Sequence, residues 1–314
     1  MKLAFVYAGQ GSQFAGMGKD IYEAYPEAKA VLDGISMDFD LKEVCFEDKN
    51  GVINQTEYTQ PCMLAVAMMI TAVLKNRGIC PEMAAGLSLG EYSALYAAGV
   101  WEKDTAMELI RFRGKAMQQA AQGVESGMTA ILGLDRAAVE QACAEASALG
   151  PVYPANYNCP GQIVIGGALK AVDAAAQNAV LAGAKRAVPL TVSGPFHTVY
   201  MQPAGKALEE KFRSVQFGQM RFPVVFNTLG RAKAEGEEIS ELLVRQVQSP
   251  VYFWDSIVYM RQQGVDTIIE IGPGKVLSGF IKKIDKGIQV YSAQDVKSIE
   301  DTVQALKGAA TCSV

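Results

Sequence analysis

A serine in a glycine-flanked turn and the only histidine of this chain are the residues that could together carry out nucleophilic chemistry. Ser88 lies in the segment Gly-Leu-Ser-Leu-Gly at residues 86–90, and His197 is the one histidine among 314 residues. A serine hydroxyl is a weak nucleophile at neutral pH unless a base within hydrogen-bond reach takes its proton, and imidazole has a suitable pKa. If an activated hydroxyl reacts here, His197 is the expected base.

The serine motif has two interpretations. In a nucleophile elbow, Gly86 and Gly90 let the serine occupy a tight strand-to-helix turn, and the next amide faces the reacting carbonyl. Alternatively, the serine merely caps the helix predicted over residues 92–98. The sequence Ser-Gly-Pro-Phe-His at 193–197 favours a catalytic histidine. A stiff Gly-Pro turn after a predicted strand places the ring at a sheet edge, where ligand clefts form.

A third candidate, Arg113, lies in the middle of the apolar stripe of a predicted helix, whereas Arg111 points the opposite way. A guanidinium buried beneath apolar side chains is costly unless an anion pairs with it, and its planar fork suits a carboxylate. The anion could be an acidic residue of this protein or a carboxylate of the substrate. The stripe recurs at three- and four-residue spacing and consists of Ala106, Leu109, Ile110, Arg113 and Met117.

Composition limits the kinds of protein that can hold these residues. Half of the residues are hydrophobic and the net charge is −4, without a Lys/Arg block, which favours a globular protein and argues against nucleic-acid binding. The longest apolar run, 63–74, is shorter than the roughly 18–20 residues that span a bilayer, so no membrane partner is expected. The six cysteines, Cys312 among them, form no CxxC motif, which predicts a reduced, cytoplasmic protein without a metal site.

Strand-like and helix-like segments alternate along the chain, which predicts a mostly parallel sheet covered by helices. Strands are predicted at 3–7, 223–226, 267–271 and 288–291. Helices are predicted at 26–36, 63–75, 90–98, 103–121 and 204–214.

The stretch between Ser88 and His197 is organised differently. It is predicted to fold as strand 128–134, helix 137–148, two strands around the turn 158–161, helix 171–181 and strand 186–192, a ferredoxin-like βαββαβ order. The predicted fold class is therefore α/β. A large α/β-hydrolase-like subdomain comprises residues 1–125 and 193–314, a small ferredoxin-like subdomain comprises 126–192, and the cleft between them holds both residues.

Two other glycine-rich segments resemble nucleotide-binding motifs only superficially. In the first, at residues 9–13, Phe14 occupies the place where a dinucleotide fingerprint needs its third small residue, so we reject a nicotinamide site. In the second, at 272–275, the glycine spacing is wrong for a phosphate loop and Val276 replaces the magnesium-binding hydroxyl. A simple strand-to-helix turn is the preferred interpretation of the second segment.

Taken together, seven segments resemble those of malonyl-CoA:acyl carrier protein transacylases, specifically the stand-alone enzyme of bacterial fatty acid synthesis. The resemblance covers nearly the whole chain, and seven segments in the same order are far more specific than any one of them. They are GQGSQ at 9–13, GLSLGEYSAL at 86–95, RGKAMQ at 113–118, NCPGQIVIGG at 158–167, SGPFHTVYMQPA at 193–204, QVQSPV at 246–251 and GPGKVL at 272–277.

The resemblance implies a role for each matching residue. Ser88 is expected to be the nucleophile and His197 the base, Arg113 the clamp for the malonyl carboxylate, and the backbone amides of Gln10 and Leu89 the oxyanion hole.

Three further positions follow from the same resemblance. Gln246 matches the residue whose backbone carbonyl orients the histidine, in place of the aspartate of a serine-protease triad. Gln60 matches a glutamine that lines the pocket. Leu87 departs from the family, which usually has histidine there, so no second imidazole contributes to acyl positioning.

The function implied is ping-pong transfer of malonyl from malonyl-CoA to the thiol of acyl carrier protein, by a monomer without metal or redox cofactor. Coenzyme A thioester is then a substrate. Three alternatives stay open at this point. The chain could be a serine esterase or thioesterase of the α/β-hydrolase type, a trans-acting acyltransferase of a polyketide pathway, or a non-catalytic docking subunit that keeps the fold.

Overall fold

A computed structural model describes residues 1–307 of the chain; Cys312 and the end of the predicted large subdomain, 308–314, lie outside the described residues. The strands are β1 (Leu3–Tyr7), β2 (Met83–Gly86), β3 (Ser126–Leu132), β4 (Val152–Cys159), β5 (Gln162–Ala168), β6 (Arg186–Pro189), β7 (Val225–Phe226), β8 (Arg231–Ala232), β9 (Thr267–Ile271) and β10 (Gln289–Ala293).

The helices alternate with these strands over much of the chain. They are α1 (Lys19–Ala24), α2 (Pro26–Asp33), α3 (Leu41–Phe46), α4 (Thr56–Asn76), α5 (Gly90–Ala97), α6 (Lys103–Ala121), α7 (Arg136–Ala146), α8 (Leu169–Leu181), α9 (Gln202–Phe212), α10 (Ile239–Gln246), α11 (Phe253–Gln262), α12 (Val276–Ile284) and α13 (Val296–Ala305).

A parallel sheet in the order β10-β9-β1-β2 forms the centre of the protein. Every residue of β1 and β9 is buried, because both faces of the sheet are covered. Successive strand residues point to opposite faces. Phe5 and Tyr7 therefore belong to one hydrophobic core and Ala4 and Val6 to another, which explains why the strand is a continuous apolar run rather than an alternating one.

An antiparallel sheet in the order β4-β5-β3-β6 packs against α7 and α8 around a third core. Its chain order is strand, helix, two strands, helix, strand. The segment before α11 joins it to the rest of the protein. The amide of Tyr157 donates to the carbonyl of Val251 over 2.9 Å, and the Tyr157 and Tyr252 rings stack with their centroids 5.1 Å apart.

Helix α4 begins earlier than the sequence predicts, at Thr56, although Pro61 lies inside it. Proline has no N–H to donate to the carbonyl four residues before it. That carbonyl belongs to Glu57, and Nη1 of Arg111 donates to it over 2.5 Å. The arginine thus satisfies the group that the proline leaves unpaired. The most apolar part of α4 has the length and hydropathy of a membrane span, but 78% of it is buried inside the protein, as in a core helix.

Several predicted bounds are confirmed and others need correction. The strands at 3–7 and 267–271 and the helix at 103–121 have the predicted bounds. The strand predicted at 223–226 is reduced to β7, which pairs antiparallel with β8. A parallel bridge between Ala84 and Val224 connects β2 to the residue just before β7. The strand predicted at 186–192 ends at Pro189, and beyond it the amide of Leu190 still donates to the carbonyl of Met128 over 2.9 Å.

Candidate active site

Ser88 lies in the turn between β2 and α5 with a backbone φ of 55°, in the left-handed region that residues other than glycine seldom occupy. Glycine is required at positions 86 and 90, because neither position has room for a side chain. A Cβ on Gly86 would lie 2.0 Å from the backbone carbon of Gly90, and a Cβ on Gly90 would lie 2.3 Å from the carbonyl oxygen of Tyr7. The sharp turn therefore follows from local packing, and it projects the serine hydroxyl beyond the end of the sheet.

His197 meets this serine, and its ring is held from behind by a backbone carbonyl. Its Nε2 lies 2.7 Å from Oγ of Ser88, and its Nδ1 lies 2.8 Å from the carbonyl oxygen of Gln246. A carbonyl can only accept, so Nδ1 carries the proton and Nε2 is free to accept from the serine hydroxyl. Burial, followed by the charge of Arg113, lowers the pKa of His197 to about 4. The imidazole is therefore neutral at pH 7 and can act as a base.

Arg113 is completely buried beside the serine, and no Asp or Glu of the described chain forms an ion pair with it. Its Nη2 donates to Oγ of Ser88 over 3.1 Å and to Oε1 of Gln246 over 2.8 Å. Its Nε and Nη1 have no hydrogen-bond partner among the described residues. The ring of Tyr92 lies 5.4 Å from the guanidinium carbon. Burial lowers the pKa of Arg113 from its ordinary value, and the unpaired N–H groups can donate hydrogen bonds to an oxyanion.

The residues expected to form an oxyanion hole lie on the two loops around the serine. Leu89 is buried at the start of α5, immediately after Ser88. Gln10 follows β1 in a loop that packs closely on the elbow, since a Cβ on the neighbouring Gly9 would lie 2.6 Å from the carbonyl oxygen of Leu87. Both loops line the cleft that contains the serine. The side chain of Gln10 donates from Nε2 to Oγ1 of Thr56 over 3.2 Å.

Gln60 is buried on α4, where its Nε2 donates to Sδ of Met117 over 3.5 Å and its Oε1 has no partner among the described groups. Leu87 is half-buried, lines the cleft and lies against Gly9. The position that is usually histidine in the family is therefore an apolar part of the wall.

The cleft has a volume of about 400 Å³ and lies between the two sheets. The parallel-sheet side contributes Ser88 and His197, and the antiparallel sheet contributes apolar side chains, Met128 and Val164 among them. The cleft is lined mainly by apolar atoms and contains few polar groups, an arrangement typical of small-molecule sites. No group of three or more His, Cys, Asp or Glu side chains within residues 1–307 is arranged to hold a metal ion.

Sequence reasoning missed two buried polar residues that contact the serine turn. The side chain of Asn227 bonds to the backbone of Gly86 and Ser88, and the carboxyl of Glu91 accepts from the amide of Asn227. Asn227 follows the two-residue strand β7, which is too short to produce a periodic pattern. Glu91 lies in the first turn of α5, where a carboxylate ordinarily complements the helix dipole from a solvent-exposed position. Its place in the sequence therefore does not indicate that it is buried.

Arg111 lies on the other side of α6 from Arg113, as the sequence predicts. That side is also covered by the protein, and the side chain of Arg111 is only 11% exposed. Its guanidinium carbon lies 4.8 Å from the ring centres of both Phe39 and Tyr58, and it forms an ion pair with Asp38. The two arginines of this helix are both buried, one beside the serine and the other in a structural ion pair.

Comparison with known proteins places this chain in one family. The family model for the acyl transferase domain matches residues 4–302. The malonyl CoA-acyl carrier protein transacylase of Bacillus subtilis (strain 168) is 42% identical over 309 residues, with 98% of each chain covered.

Solved structures agree with this result. The malonyl CoA-acyl carrier protein transacylase from Clostridium perfringens has a TM-score of 0.93 and 41% identity, with 98% of each chain covered. A malonyl-transacylase in complex with its type II PKS acyl-carrier protein has a TM-score of 0.90 and 37% identity, covering 97% of this chain and all of the other.

Proposed function

This chain belongs to the acyl transferase domain family, and from that premise we propose that it transfers malonyl from malonyl-CoA to the phosphopantetheine thiol of acyl carrier protein in fatty acid synthesis. The names of its relatives support the substrate and the acceptor. The observation on which the proposal depends most is the unpaired guanidinium of Arg113, which contacts the same serine hydroxyl as the histidine.

In the first half-reaction, the hydroxyl of Ser88 gives its proton to Nε2 of His197 as Oγ forms a bond to the thioester carbonyl carbon. The resulting oxyanion accepts hydrogen bonds from the amides of Gln10 and Leu89. The tetrahedral intermediate then collapses and its C–S bond breaks. The imidazolium of His197 returns the proton to the sulfur of coenzyme A, which leaves a malonyl ester on Ser88.

The second half-reaction follows the same steps in reverse order. The thiol of acyl carrier protein gives its proton to His197 and forms a C–S bond to the ester carbonyl carbon, and the C–O bond to Ser88 breaks as the proton returns to Oγ. Gln246 keeps the imidazole in the required tautomer through its backbone carbonyl. No metal or redox cofactor takes part in this scheme. The C–O bond to Ser88 and the C–S bonds to the two thiols are made and broken by nucleophilic attack and proton transfer alone.

Arg113 selects the acyl group in this proposal. The malonyl carboxylate would occupy the fork formed by its unpaired N–H groups. Gln60 on α4 is buried behind Met117, which lines the cleft, and we propose that it supports the acyl pocket from there. An acetyl group would leave the buried charge without an anion, and sites built for a charged group discriminate strongly against analogues that lack it.

The organisation of the chain fits this chemistry. Within the described residues, we assign 1–125 and 193–307 to a large catalytic subdomain and 126–192, which contains the antiparallel sheet, to a small ferredoxin-like subdomain that forms the opposite wall of the cleft. The strand order β4-β5-β3-β6 supports that assignment. A monomer in the cytoplasm, with no membrane or nucleic-acid partner, completes the proposal.

Intact-mass spectrometry after mixing with malonyl-CoA tests the proposal directly. We expect one malonyl adduct on the wild-type protein, no adduct on Ser88→Ala, and loss of the adduct when acyl carrier protein with its phosphopantetheine is added. A non-catalytic docking subunit would form no adduct. Rapid cleavage of nitrophenyl esters that does not depend on a thiol acceptor would instead indicate an esterase.

One observation favours a second candidate pathway. A structural relative was solved with a type II PKS acyl-carrier protein, so the malonyl group could also go to a polyketide carrier. Transfer rates from malonylated Ser88 to a fatty acid carrier and to a polyketide carrier, measured side by side, decide between the two acceptors.

A further inference from the structure

Asn227 is completely buried and its side chain bonds to the serine turn on both sides of Leu87. Its Oδ1 accepts from the amide of Ser88 over 2.7 Å, and its Nδ2 donates to the carbonyl of Gly86 over 2.7 Å. These groups are a backbone donor and acceptor two residues apart, the pair that a neighbouring strand would satisfy in a sheet. The side-chain amide of Asn227 thus replaces a strand at the point where β2 ends.

The serine turn needs such support because its backbone is strained. A non-glycine residue in the left-handed region is strained and persists only where its surroundings determine it. The amide of Ser88 donates to Oδ1 of Asn227, which is not among the residues that line the cleft, so this amide faces away from the cleft. The amide of Ser88 is therefore engaged, and the next amide, that of Leu89, is the one left for an oxyanion.

Glu91 fixes the position of Asn227 in turn. The backbone amide of Asn227 donates to Oε2 of Glu91 over 2.5 Å, and its carbonyl accepts from the amide of Tyr252 over 2.8 Å. Glu91 is buried in the first turn of α5, three residues after Ser88. The same asparagine is thereby linked to the strand before the serine, to the serine itself and to the helix after it.

We propose that Asn227 is a positioning residue for acyl transfer, held in place by Glu91, and that its two side-chain hydrogen bonds keep Oγ of Ser88 directed at His197. This inference rests on the proposed function for its natural substrate, but it concerns the geometry of the hydroxyl and applies to any acylating reagent. Glu91 acts as a hydrogen-bond acceptor here. Burial raises its pKa to about 8, so its carboxyl is largely neutral at pH 7 and a glutamine can replace it.

The principal test uses Asn227→Asp, which keeps the volume of the side chain and the acceptor for Ser88 but removes the donor to Gly86. We expect the rate of Ser88 malonylation at saturating malonyl-CoA to fall about 100-fold, as small misplacements of reacting groups do. The KM for malonyl-CoA should change less than about threefold, because Arg113 still holds the carboxylate. A neutral fluorophosphonate, which labels activated serines without a malonyl group, should slow to a similar extent.

The matched control is Ser256→Ala, which removes another buried hydrogen bond, from its Oγ to the carbonyl of Tyr252. It should lower the free energy of unfolding in urea without changing either labelling rate. If Asn227→Asp reacts with the fluorophosphonate within about threefold of wild type, the asparagine is merely structural and the inference is wrong. A wild-type protein that reacts with the phosphonate but not with malonyl-CoA would contradict the proposed function alone.

Glu91 provides a second pair of variants that does not depend on how Asn227→Asp folds. Glu91→Gln keeps an acceptor for the amide of Asn227 and should label at nearly the wild-type rate at pH 7. Glu91→Leu removes the acceptor and should label much more slowly. Equal labelling rates of the two folded variants would also overturn the inference.

Discussion

Arg113 and Gln246 are hydrogen-bonded in the centre of the site, with Nη2 of the arginine 2.8 Å from Oε1 of the glutamine. The backbone carbonyl of the same glutamine accepts from His197, and its side-chain amide donates to the carbonyl of Ser88 over 2.8 Å. One residue therefore links the guanidinium of Arg113, the imidazole of His197 and the backbone of Ser88. Changes at the cation should alter both the choice of acyl group and the titration of the base.

Replacing Arg113 by Ala should abolish the preference for malonyl. We expect malonyl transfer to fall at least about 100-fold, while acetyl transfer is kept or increased, because the buried charge that disfavours an apolar acyl group is gone. Rates of Ser88 acylation with the two coenzyme A thioesters measure this. Arg111→Ala, on the same helix, is the control and should leave the ratio of the two rates unchanged. Equal loss of both activities in Arg113→Ala would refute the clamp.

Gln246→Glu should weaken the binding of acyl groups that carry a carboxylate. The new carboxylate would lie within hydrogen-bond distance of the Arg113 guanidinium and would compete with the malonyl carboxylate for it. We expect the KM for malonyl-CoA to rise about 10-fold or more, while any acetyl transfer falls no further than in a variant that only loses the amide that donates to Ser88. Gln246→Met, which removes the amide without adding a charge, separates competition from loss of support. A KM that rises equally in both variants would rule out competition.

The pH dependence of acylation should shift when the cation is removed. His197 acts only when neutral, so activity is lost as the pH falls through its pKa, which burial and then Arg113 lower to about 4. Arg113→Met removes the positive charge that helps to lower the pKa of His197. The pKa should therefore rise, and the loss of activity should begin at a higher pH. Profiles of kcat/KM with acetyl-CoA, which has no acyl carboxylate of its own, measure the shift. An acid limb that stays in place or moves to lower pH contradicts the coupling.

Arg111 and Pro61 should be energetically coupled through the carbonyl of Glu57. Arg111→Ala leaves that carbonyl without a donor and breaks the ion pair with Asp38, so we expect a loss of about 2 kcal/mol in the free energy of unfolding. In a Pro61→Ala background the new N–H can donate to the same carbonyl, and the loss should be smaller. Urea unfolding of the four proteins measures the coupling. Strictly additive effects would show that the arginine does not compensate for the proline.

How far the sequence alone predicts this protein depends on the range of the interactions involved. The bounds of α6 and the burial of Arg113 follow from a local period of three and four residues, and a lone histidine leaves one choice of base. Strand β2 was missed because Met-Ala-Ala-Gly has no β-branched residue. The burial of Arg111 does not follow from this period, because a helix packed on both sides buries residues outside its apolar stripe.

Asn227 shows the limit more clearly. It lies 139 positions from the serine that it contacts, and nothing in the neighbouring sequence distinguishes it from an ordinary turn asparagine. Its contact depends on the paths of β2 and β7 in the folded chain, which a local pattern does not specify.

Burial and the charge of Arg113 lower the proton affinity of His197, and the neutral carbonyl that orients the ring does not restore it as a carboxylate would, which should determine how long a loaded acyl group survives. An imidazole with low proton affinity can deprotonate a thiol, whose pKa is roughly 8.5, far more readily than water, whose pKa is about 15.7. Hydrolysis is then slow even when a water molecule enters the cleft. The ester should therefore persist until acyl carrier protein binds. The lifetime of malonylated Ser88 in buffer without any thiol should be many times longer than one catalytic cycle.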